Sequence, residues 1–424
     1  MPKTSKPSVS INPSNPSLHS ASRITNDASR AVPNPSNPSF VANASAVPNP
    51  SNPSKASKPS MFANPSNPSF FANASAVPNP SNPLILQSSF LVTGGAGFIG
   101  SNIVEELVRL GHSVRVLDNF ATGKRENLKP FLDKIDLIEG DIRDEETCRR
   151  AVDGIDYVLH QAAMASVPRS LTEPVITSEV NIMGTIKLLT AAAKAHVRRF
   201  VYAASSSAYG DQPVPVKNEQ LIPMPLSPYA AAKLAGEYFC QAYSRSMGLE
   251  AVGLRYFNVF GPRQDPKSQY SAVIPLFITA IMEGRKPTIY GDGLQTRDFT
   301  YVANNVQANI LAATTQKPVA GKTINIACGK SFSLLDLLKA INEALSSSSA
   351  VVPLRRGQGE EREGSPGSPN PSKASNPSVL FAPARKGDVK HSLADISLAR
   401  EMLGYEVGVD FKEGIRRTVE WYLS

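Results

Sequence analysis

Residues 89–111 join a short apolar run, a glycine-rich turn and an amphipathic segment in immediate succession. The run "SFLVT" is followed by "GGAGFIG", which contains Gly94, Gly97 and Gly100, and apolar residues at helical spacing then continue to Gly111. This order predicts a strand, a turn and a helix. Glycines in such a turn let the backbone approach a pyrophosphate at the start of the helix. The segment therefore predicts a dinucleotide site.

Asp118 indicates which dinucleotide the turn would bind. It closes the next predicted strand, 113–119, eighteen residues after Gly100. A carboxylate at this point accepts a hydrogen bond from a ribose 2'-hydroxyl and repels a 2'-phosphate. The sequence therefore predicts NAD as the cofactor, in preference to NADP.

The rest of the body alternates apolar strands with helical stretches. Further strands are predicted at 136–141, 156–163, 199–206 and 250–259, and helices at 177–195 and about 227–247. Apolar strands separated by helices imply a parallel sheet that helices cover on both faces. We therefore predict an α/β fold with a doubly wound parallel sheet in an NAD-binding domain of residues 88–261. A smaller, mixed and mainly substrate-binding part is predicted for residues 262–424.

The N-terminal segment differs sharply from this body. Residues 1–83 contain sixteen of the thirty-five prolines and repeat variants of "NPSNPS". Such a polar, proline-rich segment cannot bury enough apolar surface to offset its ordering entropy. Residues 1–87 are therefore predicted to form a disordered repeat arm, and a related low-complexity insertion is predicted at about 362–378.

Charge and cysteine content narrow the class of protein further. The arm holds six basic residues and one acidic residue, so five of the eight formal positive charges lie there and the body is only weakly basic. The sequence has no stripe of basic residues interleaved with aromatic ones, so it gives no indication of nucleic-acid binding. Three widely spaced cysteines favour a reducing compartment and argue against a disulfide framework or a metal site. No apolar run reaches transmembrane length, so we expect a cytoplasmic protein without nucleic-acid, membrane or metal partners.

Two further stretches carry hydroxyl groups and a cation. "SSSAYG" starts at Ser205, at the carboxyl end of a predicted parallel strand, and "SPYAAAK" places Tyr229 four residues before Lys233. A tyrosine is a poor base at its ordinary pKa of about 10, so Lys233 would favour its phenolate form, and a serine would hold the substrate oxygen. Taken alone, each stretch also fits an ordinary helix surface and a helix cap. The dinucleotide turn in the same chain favours a catalytic Ser/Tyr/Lys set.

At this point the chain resembles a known family, from about residue 88 to its end. The matching stretches include "TGGAGFIGS", "LDNFATGKREN", "GDIRD", "HQAAMASVPRS", "YAASSSAYGD", "PYAAAK", "GLRYFNVFGPRQDP", "YGDGLQTRDFTYV" and "RKGDVKHSLAD". They resemble the extended short-chain dehydrogenase/reductases, specifically the UDP-sugar 4-epimerases, and are most similar to UDP-N-acetylglucosamine 4-epimerases. The resemblance implies a tightly held NAD, a UDP-sugar substrate, a transient 4-keto intermediate and a homodimer.

The resemblance also implies a set of site residues. The implied catalytic residues are Ser205, Ser206, Tyr229 and Lys233. The implied cofactor contacts are Gly94, Gly97, Phe98, Ile99, Gly100, Asp118, Asn119, Gly123, Asp141, Ile142, Gln161, Ala162, Ala163, Tyr229, Lys233 and Tyr256. The implied substrate contacts are Ala165, Ser166, Ser205, Asn258, Gln264, Ala272, Val273, Tyr290, Arg297, Arg385, Asp388 and Ser392. Arg297 and Arg385 also suit a diphosphate on physical grounds, because a guanidinium fork binds phosphate oxygens in pairs.

Small residues at three of these positions bear on the choice of sugar. Ser392 stands where strict UDP-galactose epimerases carry a bulky tyrosine, and Ala165 and Ala272 are also small. A pocket with such walls has room for an N-acetyl group. With Gln264, they favour UDP-N-acetylglucosamine and UDP-N-acetylgalactosamine as substrates, with unacetylated UDP-sugars as further ones.

Other functions stay open at this stage. Related dehydratases use an Asp-Glu pair where this chain has Ser206 and Ser207, so the sequence disfavours dehydration. UDP-glucuronate 4-epimerase uses the same chemistry and differs only in carboxylate recognition. A non-catalytic nucleotide-sugar binder is disfavoured by the intact Ser/Tyr/Lys set, and an assembly protein would work through its N-terminal arm.

Overall fold

A computed structural model describes residues 87–266, 273–347, 379–384 and 390–424. All of them belong to one compact unit of the chain. The predicted repeat arm, apart from residue 87, and the predicted insertion at 362–378 lie outside the described residues. So do three predicted substrate contacts, Ala272, Arg385 and Asp388.

Fifteen strands occur in the described residues, most of them short. They are β1 Ser89–Thr93, β2 Ser113–Asp118, β3 Ile135–Glu139, β4 Tyr157–His160, β5 Arg199–Ser205, β6 Val216–Lys217, β7 Ala251–Tyr256, β8 Val259–Phe260, β9 Thr288–Tyr290, β10 Thr296–Arg297, β11 Thr300–Tyr301, β12 Thr323–Ile326, β13 Phe332–Ser333, β14 Leu380–Ala382 and β15 Leu393–Ala394.

Twelve α-helices alternate with these strands across the same ranges. They are α1 Phe98–Arg109, α2 Arg125–Leu128, α3 Glu145–Val152, α4 Val167–Thr172, α5 Pro174–Ser178, α6 Thr185–Lys194, α7 Pro228–Ser246, α8 Val273–Met282, α9 Val302–Thr314, α10 Leu334–Ser347, α11 Ser397–Leu403 and α12 Phe411–Leu423. Single turns of 3-10 helix lie at Lys129–Phe131 and Ser206–Tyr209, and a π-helical turn lies at Glu179–Gly184.

Seven strands form one parallel sheet in the order β12-β7-β5-β4-β1-β2-β3. The strand order reverses between β1 and β4, and such a reversal opens a crevice at the carboxyl ends of the strands. The glycine-rich turn follows β1 at this edge. The prediction of a doubly wound parallel sheet is confirmed.

The two faces of the sheet bury separate apolar clusters. Val92 of β1 joins a cluster that includes Ile103 of α1 and Val306 of α9. Its neighbour Leu91 joins the opposite cluster, with Leu188 of α6 and Cys240 of α7. Successive residues of a strand point to opposite faces, so β1 packs into both layers and reads as a continuous apolar run.

Two features of the sheet region differ from the sequence prediction. The strand β12 joins the sheet beside β7, although its residues come from the part that the sequence assigns to a mixed region. The predicted helix 177–195 is divided by the π-helical turn into α5 and α6. The π-helical turn differs from an α-helix in its i→i+5 hydrogen bonds, and no residue type in the sequence specifies that pairing.

Candidate active site

The glycine-rich turn is held so closely that side chains cannot be added to it. Gly94 has φ +66°, and a Cβ at this residue would lie 2.7 Å from the nitrogen of Ala162. A Cβ at Gly100 would lie 2.1 Å from the Gly94 oxygen. Gly97 caps α1 without a side chain, and the partly buried Phe98 and Ile99 begin the helix. The turn thus provides the uncapped helix start that suits a pyrophosphate.

The carboxylate of Asp118 ends β2 next to this turn. The N–H groups of Ala96 and Phe120 donate to it at 2.9 and 2.8 Å. Burial raises the pKa of Asp118, and these two N–H groups act in the opposite direction. Gly123 borders the carboxylate, since a Cβ there would lie 2.9 Å from Asp118 Oδ1. Because Gly123 has no side chain, the space beside the Asp118 carboxylate is open, and it can accept the two hydroxyl groups of a ribose. The residues present therefore fit NAD.

Three predicted cofactor contacts that follow β2 and β3 also lie together in the structure. Asn119 donates from Nδ2 to Asp141 at 2.8 Å, and Ile142 is buried against Gly184. Arg143, which the sequence analysis did not select, forms an ion pair with Asp141 at 2.8 Å. This hydrogen-bonded guanidinium lowers the pKa of Asp141 to about 2. Asp141 is therefore a fixed negative charge near neutral pH.

A polar cluster lies where β4 and β7 end. The Tyr256 hydroxyl donates to Asn309 at 3.0 Å, and the Gln161 amide donates to Asn309 at 3.1 Å. Burial raises the pKa of Tyr256 to about 12, so its hydroxyl stays neutral. Ala162 and Ala163 follow Gln161 and are partly buried. Asn309 belongs to α9, 148 residues from Gln161, and no local pattern marks it as a neighbour of the site.

The predicted catalytic hydroxyls meet at the end of β5. Ser205 ends this strand, and its side chain lies beside that of the partly buried Tyr229 near the start of α7. Ser207 approaches from the following 3-10 turn and donates from Oγ to Ser205 Oγ at 2.8 Å. Ser206 begins that turn. The helix α7 starts at a fixed point because Ser227 caps it, accepting from the Ala230 N–H at 3.2 Å.

Lys233 is buried one turn after Tyr229. Its ammonium donates to the carbonyl of Ala203 at 2.8 Å and lies 5.0 Å from the ring centre of Tyr202. Burial lowers the pKa of Lys233 to about 8, and the carboxylate of Glu237 acts against that decrease. The lysine is therefore an anchored cation whose charge is sensitive to its surroundings.

Two features act on Tyr229 in this structure, its burial and the neighbouring Ser205. Burial raises the pKa of Tyr229, and the Ser205 hydroxyl acts in the opposite direction. The Lys233 ammonium is directed to the carbonyl of Ala203. Both residues lie on α7 as the sequence predicts, and stabilisation of the Tyr229 phenolate by Lys233 stays a prediction.

Three of the predicted substrate contacts, Asn258, Arg297 and Ser392, lie at the segment 296–298. Asn258 donates from Nδ2 to the carbonyl of Asp298 at 3.1 Å, and its φ is +34°. Arg297 donates from Nη1 to the carbonyl of Thr296 at 2.9 Å. The N–H of Ser392 donates to the same carbonyl at 3.1 Å. These three residues thus all form hydrogen bonds with backbone carbonyls of residues 296–298.

The remaining predicted substrate residues are more widely spread. Tyr290 ends β9 with a partly exposed ring, and Gln264 donates to the carbonyl of Val259 at 3.3 Å. Ala165 is exposed, Ser166 caps α4, and Val273 begins α8. Gln264 and Ser166 make these hydrogen bonds with Val259 and Arg169, away from the segment 296–298.

The described residues also bear on membrane-spanning and metal-binding sites. Across the ranges that the structure describes, each helix is too short or too polar to cross a bilayer. Within the same ranges, no three His, Cys, Asp or Glu side chains are grouped in a way that would hold a metal ion.

The sheet, the glycine-rich turn and the Ser/Tyr/Lys set together define an enzyme of the extended short-chain dehydrogenase/reductase class. Residues 90–327 match the model of the NAD dependent epimerase/dehydratase family. A putative UDP-glucose 4-epimerase of Methanocaldococcus jannaschii is 35% identical over 334 residues, which cover 78% of this chain and 97% of the relative. The chain therefore belongs to the NAD dependent epimerase/dehydratase family, and its cofactor is NAD.

Solved structures show the same similarity. A UDP-N-acetylglucosamine 4-epimerase from Methanobrevibacter ruminantium, in complex with UDP-N-acetylmuramic acid, has 38% identity and a TM-score of 0.70. The match covers 80% of this chain and 98% of that chain. A Thermus thermophilus UDP-glucose 4-epimerase in complex with NAD has 34% identity and a TM-score of 0.66, over 79% and 98% of the two chains.

Proposed function

We propose that this enzyme catalyses the 4-epimerisation of a UDP-hexose, with UDP-N-acetylglucosamine and UDP-N-acetylgalactosamine as its preferred pair. The observation that carries the proposal is the placement of Ser205 at the end of β5 beside Tyr229 of α7, with Lys233 one turn further along the same helix. This set lies at the carboxyl edge of the sheet, where the glycine-rich turn also lies. Acid/base hydroxyls beside a dinucleotide site suit the oxidation and reduction of one alcohol.

In the proposed reaction, Tyr229 removes the proton of the sugar 4-hydroxyl while Ser205 holds the same oxygen by a hydrogen bond. Bound NAD supplies the acceptor for the hydride of carbon 4 and the donor that returns it. Lys233 stabilises the ionised tyrosine electrostatically once substrate fills the site. The 4-keto sugar turns within the pocket, and Tyr229 returns the proton when the other face is reduced. No net oxidation results, so no added oxidant is needed.

The proposed substrate preference comes from small residues near the sugar. Ser392 is held beside Arg297 by the shared contact with Thr296, and Ala165 is small and exposed at the start of α4. Small side chains there leave room for an N-acetyl group. The similarity to the UDP-N-acetylglucosamine 4-epimerase supports this preference. The similarity to the UDP-glucose 4-epimerase supports the coarser proposal of a UDP-hexose.

The proposal is tested by proton NMR of the purified protein with UDP-N-acetylglucosamine and no added cofactor. We expect the galacto anomeric signal to appear. In Tyr229→Phe the rate should fall by about 10²–10⁴-fold, which is the usual contribution of a general acid/base group. Tyr243→Phe is the matched control on α7, because the Tyr243 hydroxyl bonds to Thr190 at 2.6 Å and belongs to no proposed site.

The other sugars decide between the alternatives. Turnover of UDP-glucose or UDP-glucuronate without turnover of UDP-N-acetylglucosamine would retain the mechanism and overturn the assignment from Ser392. A protein that binds NAD but converts none of the three sugars would contradict the proposed activity.

A further inference from the structure

Asp298 is a fully buried carboxylate that accepts hydrogen bonds from two separate segments of backbone. The N–H groups of Cys328 and Gly329 donate to it at 2.9 and 3.0 Å. The N–H of Ala394 donates to Oδ2 at 3.3 Å. One side chain thus connects the turn after β12, the segment around β15 and its own position between β10 and β11.

The connected segments carry residues proposed to bind substrate. Arg297 directly precedes Asp298, and Asn258 donates to the Asp298 carbonyl at 3.1 Å. Ser392 lies two residues before Ala394. The parallel contact between Thr296 and His391, with a 3.0 Å side-chain bond, joins the same segments a second time.

We propose that Asp298 is a positioning residue for the nucleotide-sugar, which holds Arg297, Asn258 and Ser392 in one arrangement without touching the substrate itself. This inference rests on the proposed function. The carboxylate of Asp298 accepts from Cys328, Gly329 and Ala394, whereas the glycine-rich turn, Asp118, Asp141 and Gln161, which fit NAD, follow β1, β2, β3 and β4. Loss of the carboxylate should therefore affect substrate binding and leave cofactor retention intact.

Asp298→Asn is the sharpest change. It keeps the size of the side chain but replaces one accepting oxygen with an NH₂ group, which would face a backbone N–H. The support of the substrate residues loosens, because each N–H needs an acceptor in this dry environment. We expect KM for the UDP-sugar to rise about tenfold to a hundredfold, with kcat changed less than about threefold, as for a small misplacement of binding groups.

The matched control is Asp156→Asn. Asp156 is also a carboxylate that accepts from backbone, at 2.8 Å from the Ser89 N–H, but it lies at the amino end of the sheet strands. It should lower thermal stability and leave KM unchanged. A purely structural role for Asp298 would give the same pattern as this control.

The experiment combines steady-state kinetics, calorimetric titration with UDP, and the NAD content of the purified holoenzyme. A weaker UDP affinity and higher KM in Asp298→Asn, with full NAD content, would support the proposal. Unchanged UDP affinity in that variant, or an equal rise of KM in Asp156→Asn, would overturn it. If Asp298→Asn does not fold, Asp298→Glu keeps the carboxylate but displaces it by one methylene from its backbone donors, and an unchanged UDP affinity there would also overturn the inference.

The UDP titration separates this inference from the proposed function. If the wild-type protein binds UDP but epimerises no sugar, the proposed activity fails, and the affinity ratio between wild type and Asp298→Asn still decides the positioning role. If the wild-type protein does not bind UDP, both fail.

Discussion

His160 shows at the scale of one residue how a buried base constrains the folded state. Its side chain is fully buried at the end of β4, with Nδ1 2.7 Å from the Thr93 hydroxyl and Nε2 3.0 Å from the Thr185 hydroxyl. The Thr185 hydroxyl donates to the carbonyl of Asn181, so it accepts from Nε2–H, and Nδ1 accepts from Thr93. The contacts thus define a neutral imidazole with its proton on Nε2.

Acid should therefore destabilise the protein through His160. Burial lowers the pKa of His160 to about 3, and the nearby charge of Lys233 contributes to this decrease. A histidine in the unfolded chain has a pKa of about 6.5. Between these two pKa values the unfolded state binds more protons than the folded state. The contribution of neutral His160 to the free energy of unfolding is therefore fully present above pH 6.5 and is lost as the pH falls toward 3. At pH 4.5 the predicted loss is about 3 kcal/mol, from 1.36 kcal/mol per pH unit.

Urea unfolding at several pH values measures this loss. His160→Gln keeps a donor and an acceptor but does not titrate, so its unfolding free energy should depend less on pH between 6.5 and 4. His196→Gln is the control for replacing one histidine, because that side chain is exposed. Equal pH dependence in His160→Gln and the wild-type protein would refute the assignment.

The glycine-rich turn gives a prediction at the scale of one element. Gly100→Ala would place a Cβ 2.1 Å from the Gly94 oxygen, so the turn between β1 and α1 must move. We expect the purified variant to have lost its bound NAD, measured by release after denaturation. Gly111→Ala is the control at the other end of the same helix, because its Cβ meets no atom within 4 Å.

The control variant Gly111→Ala should itself be less stable than the wild-type protein. Gly111 has φ +80°, so alanine there should lower the unfolding free energy by about 1–2 kcal/mol, but NAD content should stay at the wild-type level. An equimolar amount of NAD in purified Gly100→Ala would show that the close approach of Gly94 and Gly100 is not needed.

The sequence predicted those elements whose residue pattern lies within one strand, turn or helix. The glycine-rich turn, Asp118 and the Tyr229 helix each depend on residues within about twenty positions of one another. The contacts that it missed join distant segments, such as Gln161 with Asn309, or Asp298 with Ala394. Period and propensity describe local geometry, and pairing between remote polar side chains leaves no period. For the same reason the role of β12 in the sheet was missed.

At the scale of the whole molecule, the sheet separates chemistry from structural support. The proposed catalytic and cofactor residues lie at the carboxyl ends of β1, β2, β3, β4, β5 and β7 and near the start of α7. At the amino ends, Asp156 joins neighbouring strands through Ser89, and Arg199 donates to carbonyls at the end of α9. Replacements at the amino end should therefore lower stability before they affect turnover.

The homodimer stays a prediction, and the surface of three helices indicates where it would form. The helices α4 and α5 pack against α7, and each of the three leaves a large apolar side chain exposed: Leu171 by 62%, Val175 by 71% and Tyr238 by 57%. Apolar and aromatic groups on adjoining helices are typical of a surface that another protein covers. We predict that a second copy of this chain covers these residues.

Light scattering during size-exclusion chromatography tests the prediction. The wild-type protein should have twice the 45.4 kDa mass of one chain. Val175→Glu combined with Tyr238→Glu should give the single-chain mass, because burying two unpaired carboxylates in an interface costs more than the contact contributes. Leu294→Glu, at a residue that is 56% exposed and outside these helices, should remain dimeric. A monomeric wild-type protein, or a dimer that survives both charges, would exclude this surface as the interface.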